Sequence, residues 1–138
     1  MTTRSIMFVD DDPHVLAALA RLFRLDPDLL VFVAHDAFDA LRKLEQNPMD
    51  LIVTDFRMPI MDGVDLLDEV AKLYPQTRGA ILSAHAEVKT LLRSRQGKPL
   101  PPFFSKPWDN DSLHQSVRRL LRLPPIAPKQ ETPALAAA

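Results

Sequence analysis

The sequence predicts a doubly wound α/β domain built around one parallel sheet of five strands. Two observations support this fold class. Short apolar runs alternate with segments of helical period along the chain, and three of the runs lack polar alternation. Strands covered by helices on both faces show such continuous apolar runs. The runs are residues 6–9, 29–34, 51–54, 80–83 and 103–104.

Helical periodicity predicts five helices that alternate with these runs. The first begins with Asp12 as its N-cap and Pro13 at its first position, and the third ends before Pro75. The fourth, within residues 86–95, precedes a proline-rich stretch at residues 99–102, so we expect it to be short or mobile. The apolar stripes of the first, second, third and fifth helices are, in that order, Val15, Leu16, Leu19, Leu22 and Phe23; Ala37, Ala40, Leu41 and Leu44; Val64, Leu67, Val70, Ala71 and Tyr74; and Leu113, Val117, Leu120 and Leu121.

Length and composition indicate one globular domain. The chain has 138 residues, of which 46% are hydrophobic and 25% charged, which suffices for one packed core and is typical of soluble proteins. We expect the folded part to span residues 4–123. Residues 124–138 are rich in proline and alanine and have no period, so they are predicted to form a disordered tail or linker.

Charge and motif content exclude several classes of function. A net charge of −1 gives no general attraction to nucleic acid or anionic lipid. The apolar run at residues 6–9 is too short for a signal peptide or a membrane span, so a cytoplasmic location is expected. The three glycines stand apart, so there is no glycine-rich phosphate loop. The absence of cysteine excludes disulfides and thiolate chemistry.

Polar residues follow four of the five predicted strands at the point where each strand ends. The acids at residues 10–12 follow the first strand, Asp55 the third, Ser83 the fourth and Lys106 the fifth. The carboxyl ends of parallel strands meet at one edge of the sheet, where ligands bind. Clustered carboxylates repel one another unless a cation neutralises them, and oxygen ligands favour Mg²⁺ or Mn²⁺.

Lys106 adds a positive charge beside these acids, which suits the binding of a phosphoryl group in addition to a metal ion. Transfer of a phosphoryl group to a carboxylate needs positioning and neutralisation of charge, which Mg²⁺, the Lys106 ammonium and the Ser83 hydroxyl can supply. The sequence shows no dedicated general base to hydrolyse the resulting acyl phosphate. These features favour a switch over an enzyme with rapid turnover.

Four fragments of the sequence carry a family resemblance: residues 8–13, 53–63, 82–86 and 104–108. Together, in this order and at predicted strand ends, they resemble the response-regulator receiver domain of two-component signalling. The resemblance covers nearly all of the expected folded part. It implies a flavodoxin-like fold with strand order 2-1-3-4-5.

The resemblance also implies a role for each residue at the strand ends. Asp55 takes the position of the phosphorylation site. Asp10 and Asp11 take those of the metal-binding acid pair, which would bind the cation with Asp55. Arg57 is expected to contribute its backbone carbonyl to the metal. The implied phosphodonor is a phosphohistidine on a sensor kinase or a phosphotransfer protein.

Other residues match the positions that read the phosphorylated state. Ser83 takes the place of the switch hydroxyl, and the small Ala84 beside it leaves room for the donor. Lys106 takes the place of the family lysine, followed by Pro107 in an expected cis bond. Phe103 matches the aromatic that rotates inward on activation. The output partner and a phosphorylation-dependent dimer stay open.

Some positions depart from the family pattern. Residues 99–102 replace the polar and small residues that usually precede the fifth strand, so the output surface cannot be assigned from the family. The bulky Arg57 and His85 flank the site and suggest slow loss of phosphate. Residues 106–109, Lys-Pro-Trp-Asp, resemble receivers joined to cyclic-nucleotide or phosphatase-type outputs.

Several residues have a simpler structural interpretation. Asp12 is expected to cap a helix and not to bind metal, and Asp62 with Gly63 to form a turn and helix start. The remaining side chains are interpreted as packing or surface groups. These are the four histidines His14, His35, His85 and His114, the aromatic residues Phe104 and Trp108, and a solvated basic face of Arg118, Arg119 and Arg122.

Two other functions are compatible with the sequence. One is a phosphohydrolase with an aspartate nucleophile, because residues 10–12 contain an Asp-x-Asp pattern. In that class the first aspartate is the nucleophile, and further elements over the site are needed. The other is a receiver-like module that docks on its partner without phosphorylation. The aspartate that carries phosphate distinguishes these functions from the phosphoacceptor.

Overall fold

The computed structural model describes residues 3–126 and contains five strands and five α-helices in that part of the chain. The strands are β1 (Arg4–Val9), β2 (Leu29–Ala34), β3 (Leu51–Asp55), β4 (Arg78–Ala84) and β5 (Phe103–Lys106). The helices are α1 (Pro13–Phe23), α2 (Ala37–Gln46), α3 (Gly63–Leu73), α4 (Val88–Ser94) and α5 (Asn110–Leu120).

The five strands form one parallel sheet in the order β2-β1-β3-β4-β5. The predicted fold class and strand order are therefore confirmed. The register aligns the carboxyl ends of the strands: Val9 lies opposite Thr54, and Ala84 lies opposite Lys106. Residues that follow these strands consequently meet at one edge of the sheet.

Alternate residues of each central strand enter two different hydrophobic clusters. In β1, Ile6 and Phe8 pack in a cluster with α1 and α5, whereas Met7 and Val9 pack in a cluster with α2 and α3. All four side chains are almost inaccessible to solvent. A strand buried on both faces requires the continuous apolar run that the sequence shows.

Aspartate N-caps fix the starts of four helices. Asp12, Asp36, Asp62 and Asp109 each accept a hydrogen bond from a backbone N–H in the first turn of α1, α2, α3 and α5. The predicted structural roles of Asp12 and Asp62 are confirmed. The third helix ends before Pro75, as expected.

The fourth helix is short, as the sequence predicted. A 3₁₀ turn at His85–Glu87 leads into α4, which has seven residues. Leu91 is fully buried in a small cluster with Phe56, Val64 and Ile81. Because Leu91 is the one buried residue among those of α4 whose side chains are described, α4 is held less firmly than the longer helices.

The predicted solvated basic face of the last helix is wrong for Arg118. This residue is only 3% exposed, and its guanidinium lies 2.7 Å and 2.9 Å from the two carboxylate oxygens of the buried Asp26. It also lies 3.0 Å from Asp28, and Asp26 contacts His114 at 2.6 Å. Helix α5 is thereby joined to the turn that precedes β2.

The chain reverses direction after α5. Arg122 adopts a left-handed backbone conformation with φ of 57°, and residues 124–126 then run back along the helix. The Arg118 guanidinium donates to the Pro124 carbonyl at 2.8 Å, and the Gln115 side chain donates to the Ile126 carbonyl at 2.7 Å. Of the predicted tail at residues 124–138, residues 127–138 lie outside the described part.

Between residues 3 and 126, no helix has both the length and the apolar character needed to cross a bilayer.

We predict that Arg118→Met lowers the free energy of unfolding by about 3 kcal/mol, because it leaves the Asp26 carboxylate buried without its main cation. Urea unfolding measures this change. The matched control is Arg119→Met on the exposed side of the same helix, with an expected change within about 0.5 kcal/mol. Equal effects of the two substitutions would contradict a structural role for the buried pair.

The same pair predicts a pH dependence. Burial alone would raise the pKa of Asp26, but hydrogen bonds from His114 and Arg118 hold it below the ordinary value of 3.8. The stabilisation is therefore complete above that value and is lost as the pH falls through the folded-state pKa. Urea midpoints below pH about 4 should fall less steeply in Arg118→Met than in the unsubstituted protein.

Candidate functional site

The site is assembled at the carboxyl edge of the sheet by side chains from three strand ends. Asp10 directly follows β1, Asp55 ends β3 and Lys106 ends β5. The Lys106 ammonium lies 2.6 Å from an oxygen of Asp10 and 3.1 Å from an oxygen of Asp55. The lysine thus joins two acids that are 45 residues apart in sequence but adjacent in the sheet.

Three carboxylates meet beside this lysine. Asp10, Asp11 and Asp55 each place an oxygen within 4.8 Å of the oxygens of the other two. Asp10 and Asp55 are buried, whereas Asp11 is exposed. Three converging hard oxygen ligands, one of them open to solvent, fit a divalent cation that enters from outside. The arrangement is therefore consistent with a metal site.

The neighbouring acid Asp12 is not directed into this group. Its carboxylate accepts from the His14 backbone N–H at 2.8 Å and so caps α1, while its own N–H donates to Asp10 at 2.9 Å. The second bond orients the Asp10 carboxylate toward Lys106. Asp12 therefore supports the site through the backbone.

Burial and repulsion perturb the acid that ends β3. Loss of hydration, together with the charges of Asp10 and Glu87, raises the pKa of Asp55 to about 6 despite the opposing effect of Lys106. Burial alone would lower the pKa of Lys106, but its contacts with Asp10 and Asp55 raise it. Lys106 therefore remains positively charged, and it only partly offsets the repulsion of Asp55 by the neighbouring carboxylates.

A glycine sets how closely α3 approaches Asp55. The Gly63 N–H donates to the Phe56 carbonyl at 2.8 Å, and a Cβ at Gly63 would lie 2.2 Å from the Asp55 carbonyl oxygen. Only glycine can occupy this position without movement of the backbone. In the same loop Ile60 is 91% exposed with φ of 73°, a conformation that is strained for a β-branched residue.

The other predicted site residues surround this centre. Ser83 is fully buried in β4, and its hydroxyl, which has one hydrogen to donate, lies 3.2 Å from the Ala84 carbonyl and 3.3 Å from the Glu87 carboxylate. Phe103 is 37% exposed on β5 and lies outside the core. Arg57 is exposed, with its guanidinium 5.6 Å from the Phe56 ring.

Most of the packing interpretations hold. Phe104 and Trp108 pack against the cluster under α1 and α5, and the peptide bond between Lys106 and Pro107 is cis, as expected. Among the histidines, His14 and His35 are exposed, and His114 packs edge-on against Phe23 with ring centroids 5.3 Å apart. The side chain of His85 lies outside the described part of the structure.

The sequence analysis missed one acid near the site, Glu87. Its carboxylate accepts from the Ser83 hydroxyl, and its negative charge contributes to the raised pKa of Asp55. The sequence contained a weak signal, since Glu87 follows Ser83 by four residues at the predicted junction of a strand and a helix.

Comparison with protein-family models identifies the family to which the chain belongs. The model of the response regulator receiver domain matches residues 6–118, which include every strand end that contributes to the site. The chain belongs to this family. A receiver is a phosphoacceptor switch, so the hypothesis of a phosphohydrolase is set aside.

Individual relatives agree with this assignment. The transcriptional regulatory protein GlrR of Escherichia coli (strain K12) is 34% identical over 113 residues, which cover 81% of this receiver and 25% of that protein. The transcriptional regulatory protein PrrA of Mycobacterium tuberculosis (strain ATCC 25618 / H37Rv) is 32% identical over 122 residues, or 88% of this chain and 52% of its own. The chain therefore spans about a quarter to about half the length of these relatives.

A solved structure shows the same fold. The signal receiver domain of an HD domain-containing protein from Pseudomonas fluorescens Pf-5 matches with a TM-score of 0.79 and 28% sequence identity. The match covers 87% of this chain and 95% of that one.

The repulsion at the site leads to a prediction about stability. In chelator at pH 7, Asp55→Asn should raise the free energy of unfolding, because it removes one of three converging carboxylates. Since folding raises the pKa of Asp55 to about 6, the folded state binds the proton more tightly and loses stability as pH rises from about 4 to 7.

The increase in the free energy of unfolding caused by Asp55→Asn should therefore be large at pH 7 and small near pH 4. The shift of the urea midpoint at each pH measures this increase. Asp50→Asn is the control, because this acid lies at the opposite edge of the sheet, before β3, and accepts from the Ser5 N–H at 2.8 Å. A gain from Asp55→Asn that does not depend on pH would contradict the electrostatic explanation.

Proposed function

We propose that this receiver accepts a phosphoryl group on Asp55 from a phosphohistidine donor in a Mg²⁺-dependent reaction. The observation that carries the proposal is the convergence of three carboxylates within 4.8 Å of one another, two of which, Asp10 and Asp55, contact the Lys106 ammonium at 2.6 Å and 3.1 Å. A purely structural cluster of acids has no need of an exposed third member such as Asp11.

The reaction is a transfer from nitrogen to oxygen. A carboxylate oxygen of Asp55 attacks the phosphorus of the phosphohistidine and forms a P–O bond as the P–N bond breaks. The imidazole nitrogen keeps the electron pair of the broken bond and takes a proton from solvent. The product is an acyl phosphate on Asp55 and a neutral histidine on the donor.

Residues of this chain assist the transfer by position and charge. Lys106 favours the ionised form of Asp55, which is the attacking form, and can hold one oxygen of the incoming group. The small Ala84 leaves space beside the site for the donor. Ser83 is the proposed switch hydroxyl, which would hold another phosphoryl oxygen after transfer.

The donor set fits Mg²⁺, and Mn²⁺ is the alternative. Asp10, Asp11 and Asp55 are the proposed side-chain ligands, and Arg57 is the proposed donor of a backbone carbonyl. When bound, such an ion neutralises negative charge on the phosphoryl oxygens.

The proposed readout is a change at the surface of α4, β5 and α5. Phe103 is exposed in β5 and is the proposed aromatic that turns inward when Ser83 moves. The proposed upstream partner is a sensor histidine kinase or a phosphotransfer protein. Arg57 and His85 each follow a proposed site residue, Asp55 or Ser83, by two positions in the sequence and are proposed to slow the loss of phosphate.

We propose residues 4–123 as the receiver and residues 124–138 as a tail or linker, in a cytoplasmic protein that binds no nucleic acid through this domain. The downstream partner and a phosphorylation-dependent dimer are not assigned by any contact described above.

The phosphoacceptor is tested by intact-mass measurement and peptide mapping after treatment with acetyl phosphate, with and without Mg²⁺. We expect one adduct, dependent on Mg²⁺ and confined to Asp55, and none in Asp55→Asn. Asp50→Asn is the control and should label normally, because it lies away from the site.

Undiminished labelling of Asp55→Asn would assign the phosphate to another residue. If the protein is folded but is not labelled under any condition, the result would favour the alternative, a module that docks on its partner without phosphorylation.

The metal site is tested by comparing two adjacent acids. Asp11→Ala should weaken Mg²⁺ binding by more than about tenfold, because it removes a carboxylate ligand. Asp12→Ala should change Mg²⁺ affinity little but lower the free energy of unfolding by about 1 kcal/mol, because it removes the cap of α1. Fluorescence of Trp108, the only tryptophan, reports binding, and urea unfolding reports stability.

Equal losses of affinity in the two variants would contradict the separate roles of Asp11 and Asp12. Loss of affinity in Asp12→Ala alone would make Asp12 the ligand.

A further inference from the structure

The start of α4 differs from the starts of the other helices in the described part of the chain. The other four have an aspartate N-cap whose carboxylate accepts a backbone N–H, whereas the N-cap of α4 is Glu87, which makes no such bond. The longer side chain of glutamate is a poor N-cap. Its carboxylate is therefore available for a different contact.

That contact is with the Ser83 hydroxyl. The Glu87 carboxylate accepts from Ser83 at 3.3 Å, and the same hydroxyl lies 3.2 Å from the Ala84 carbonyl. Both distances are long for O–H···O bonds, so each is weak. Ser83 is fully buried in β4, so its hydroxyl has little access to solvent as a replacement partner. A stronger acceptor placed nearby would compete successfully for it.

Electrostatics couples Glu87 to the phosphoacceptor. Its negative charge makes a small contribution to the raised pKa of Asp55. A phosphoryl group on Asp55 would replace one negative charge by about two and supply three strong acceptor oxygens. Phosphorylation would therefore repel Glu87 and attract the Ser83 hydroxyl at the same time.

We propose that Glu87 is a positioning residue that holds the Ser83 hydroxyl at the start of α4 until a phosphoryl group on Asp55 repels it and takes the hydroxyl. This inference rests on the proposed phosphorylation of Asp55 and adds the step by which charge at the site reaches α4.

The consequence for α4 follows from how the helix is anchored. Its far end is tied to α3, because Arg95 lies 2.9 Å and 3.1 Å from the two carboxylate oxygens of Asp68 and also donates to the Pro99 carbonyl. Its near end has the contact between Glu87 and Ser83. When this contact opens, the start of α4 is released while its end stays attached to α3.

Two substitutions separate charge from contact. Glu87→Gln keeps the length and an acceptor oxygen but removes the charge, whereas Glu87→Ala removes both. Glu69→Gln is the matched control, because Glu69 is partly buried like Glu87 but lies on α3, where it contacts Lys72 at 3.7 Å. Urea unfolding verifies that all three variants fold, since Glu87 lies only partly buried at the surface.

The first measurement compares labelling rates with two donors, acetyl phosphate and phosphoramidate, which carries less negative charge at neutral pH. Without the repulsion of Glu87, both Glu87 variants should label faster with acetyl phosphate, by on the order of threefold, and less so with phosphoramidate. Added salt should reduce this difference. A purely structural role of Glu87 would not make the rate depend on the charge of the donor.

The second measurement is hydrogen exchange in residues 85–94, with and without beryllofluoride as a phosphoryl mimic. In the unmodified protein, Glu87→Ala should exchange faster at the start of α4, and beryllofluoride should add little further change. The unsubstituted protein and Glu69→Gln should show a large change on adding the mimic.

The outcomes distinguish the two proposals. Suppose that the unsubstituted protein is labelled at Asp55, and that both Glu87 variants show its ratio of labelling rates with the two donors and its hydrogen exchange in residues 85–94. The proposed role of Glu87 is then overturned, and the proposal that Asp55 is the phosphoacceptor stands. If the unsubstituted protein does not label at all, the proposed function is overturned, and the inference about Glu87 falls with it.

Discussion

The structure depends on the charge balance at the carboxyl edge of the sheet. Three carboxylates within 4.8 Å of one another would separate if they had no cation, and the Lys106 ammonium contacts two of them. This contact requires β5 to lie at the right register beside β4, with Lys106 opposite Ala84. Because one lysine cannot neutralise three acids, the site keeps an excess of negative charge that favours a divalent cation.

A second charged group holds the opposite end of the domain. Arg118 joins α5 to the turn before β2 through Asp26 and Asp28 and also binds the chain that follows α5. Helix α5 begins four residues after Lys106, so the buried pair at one end of the helix restrains the loop that follows the lysine at the other. The two ion-pair groups differ in one respect: the charges of the Arg118 group are satisfied, whereas those at the site are not, and only the unsatisfied group can respond to a ligand.

Much of the fold and of the candidate site could be predicted from the sequence, because both are encoded locally. Continuous apolar runs predict the central strands, and the convergence of parallel strand ends at one edge of the sheet predicts that Asp55 and Lys106 lie together. The burial of Arg118 was not predictable in this way, since its partner Asp26 is 92 residues distant and arginine is seldom buried. The contact of Glu87 with Ser83 was not predictable either, because the bend between β4 and α4, and not the helical period of the sequence, brings the two side chains together.

Prolines limit backbone pairing along the chain that precedes the edge strand β5. Pro99, Pro101 and Pro102 precede the strand and have no N–H to donate, so a partner strand cannot extend along this part of the edge. The Pro102 carbonyl is already used by the Ile81 N–H at 2.8 Å. What this face offers a partner is apolar, namely the exposed side chains of Leu92, Leu100 and Phe103. Two of these, Leu92 and Phe103, lie on α4 and β5, the elements next to Glu87 and Ser83, so the apolar part of this face adjoins the site.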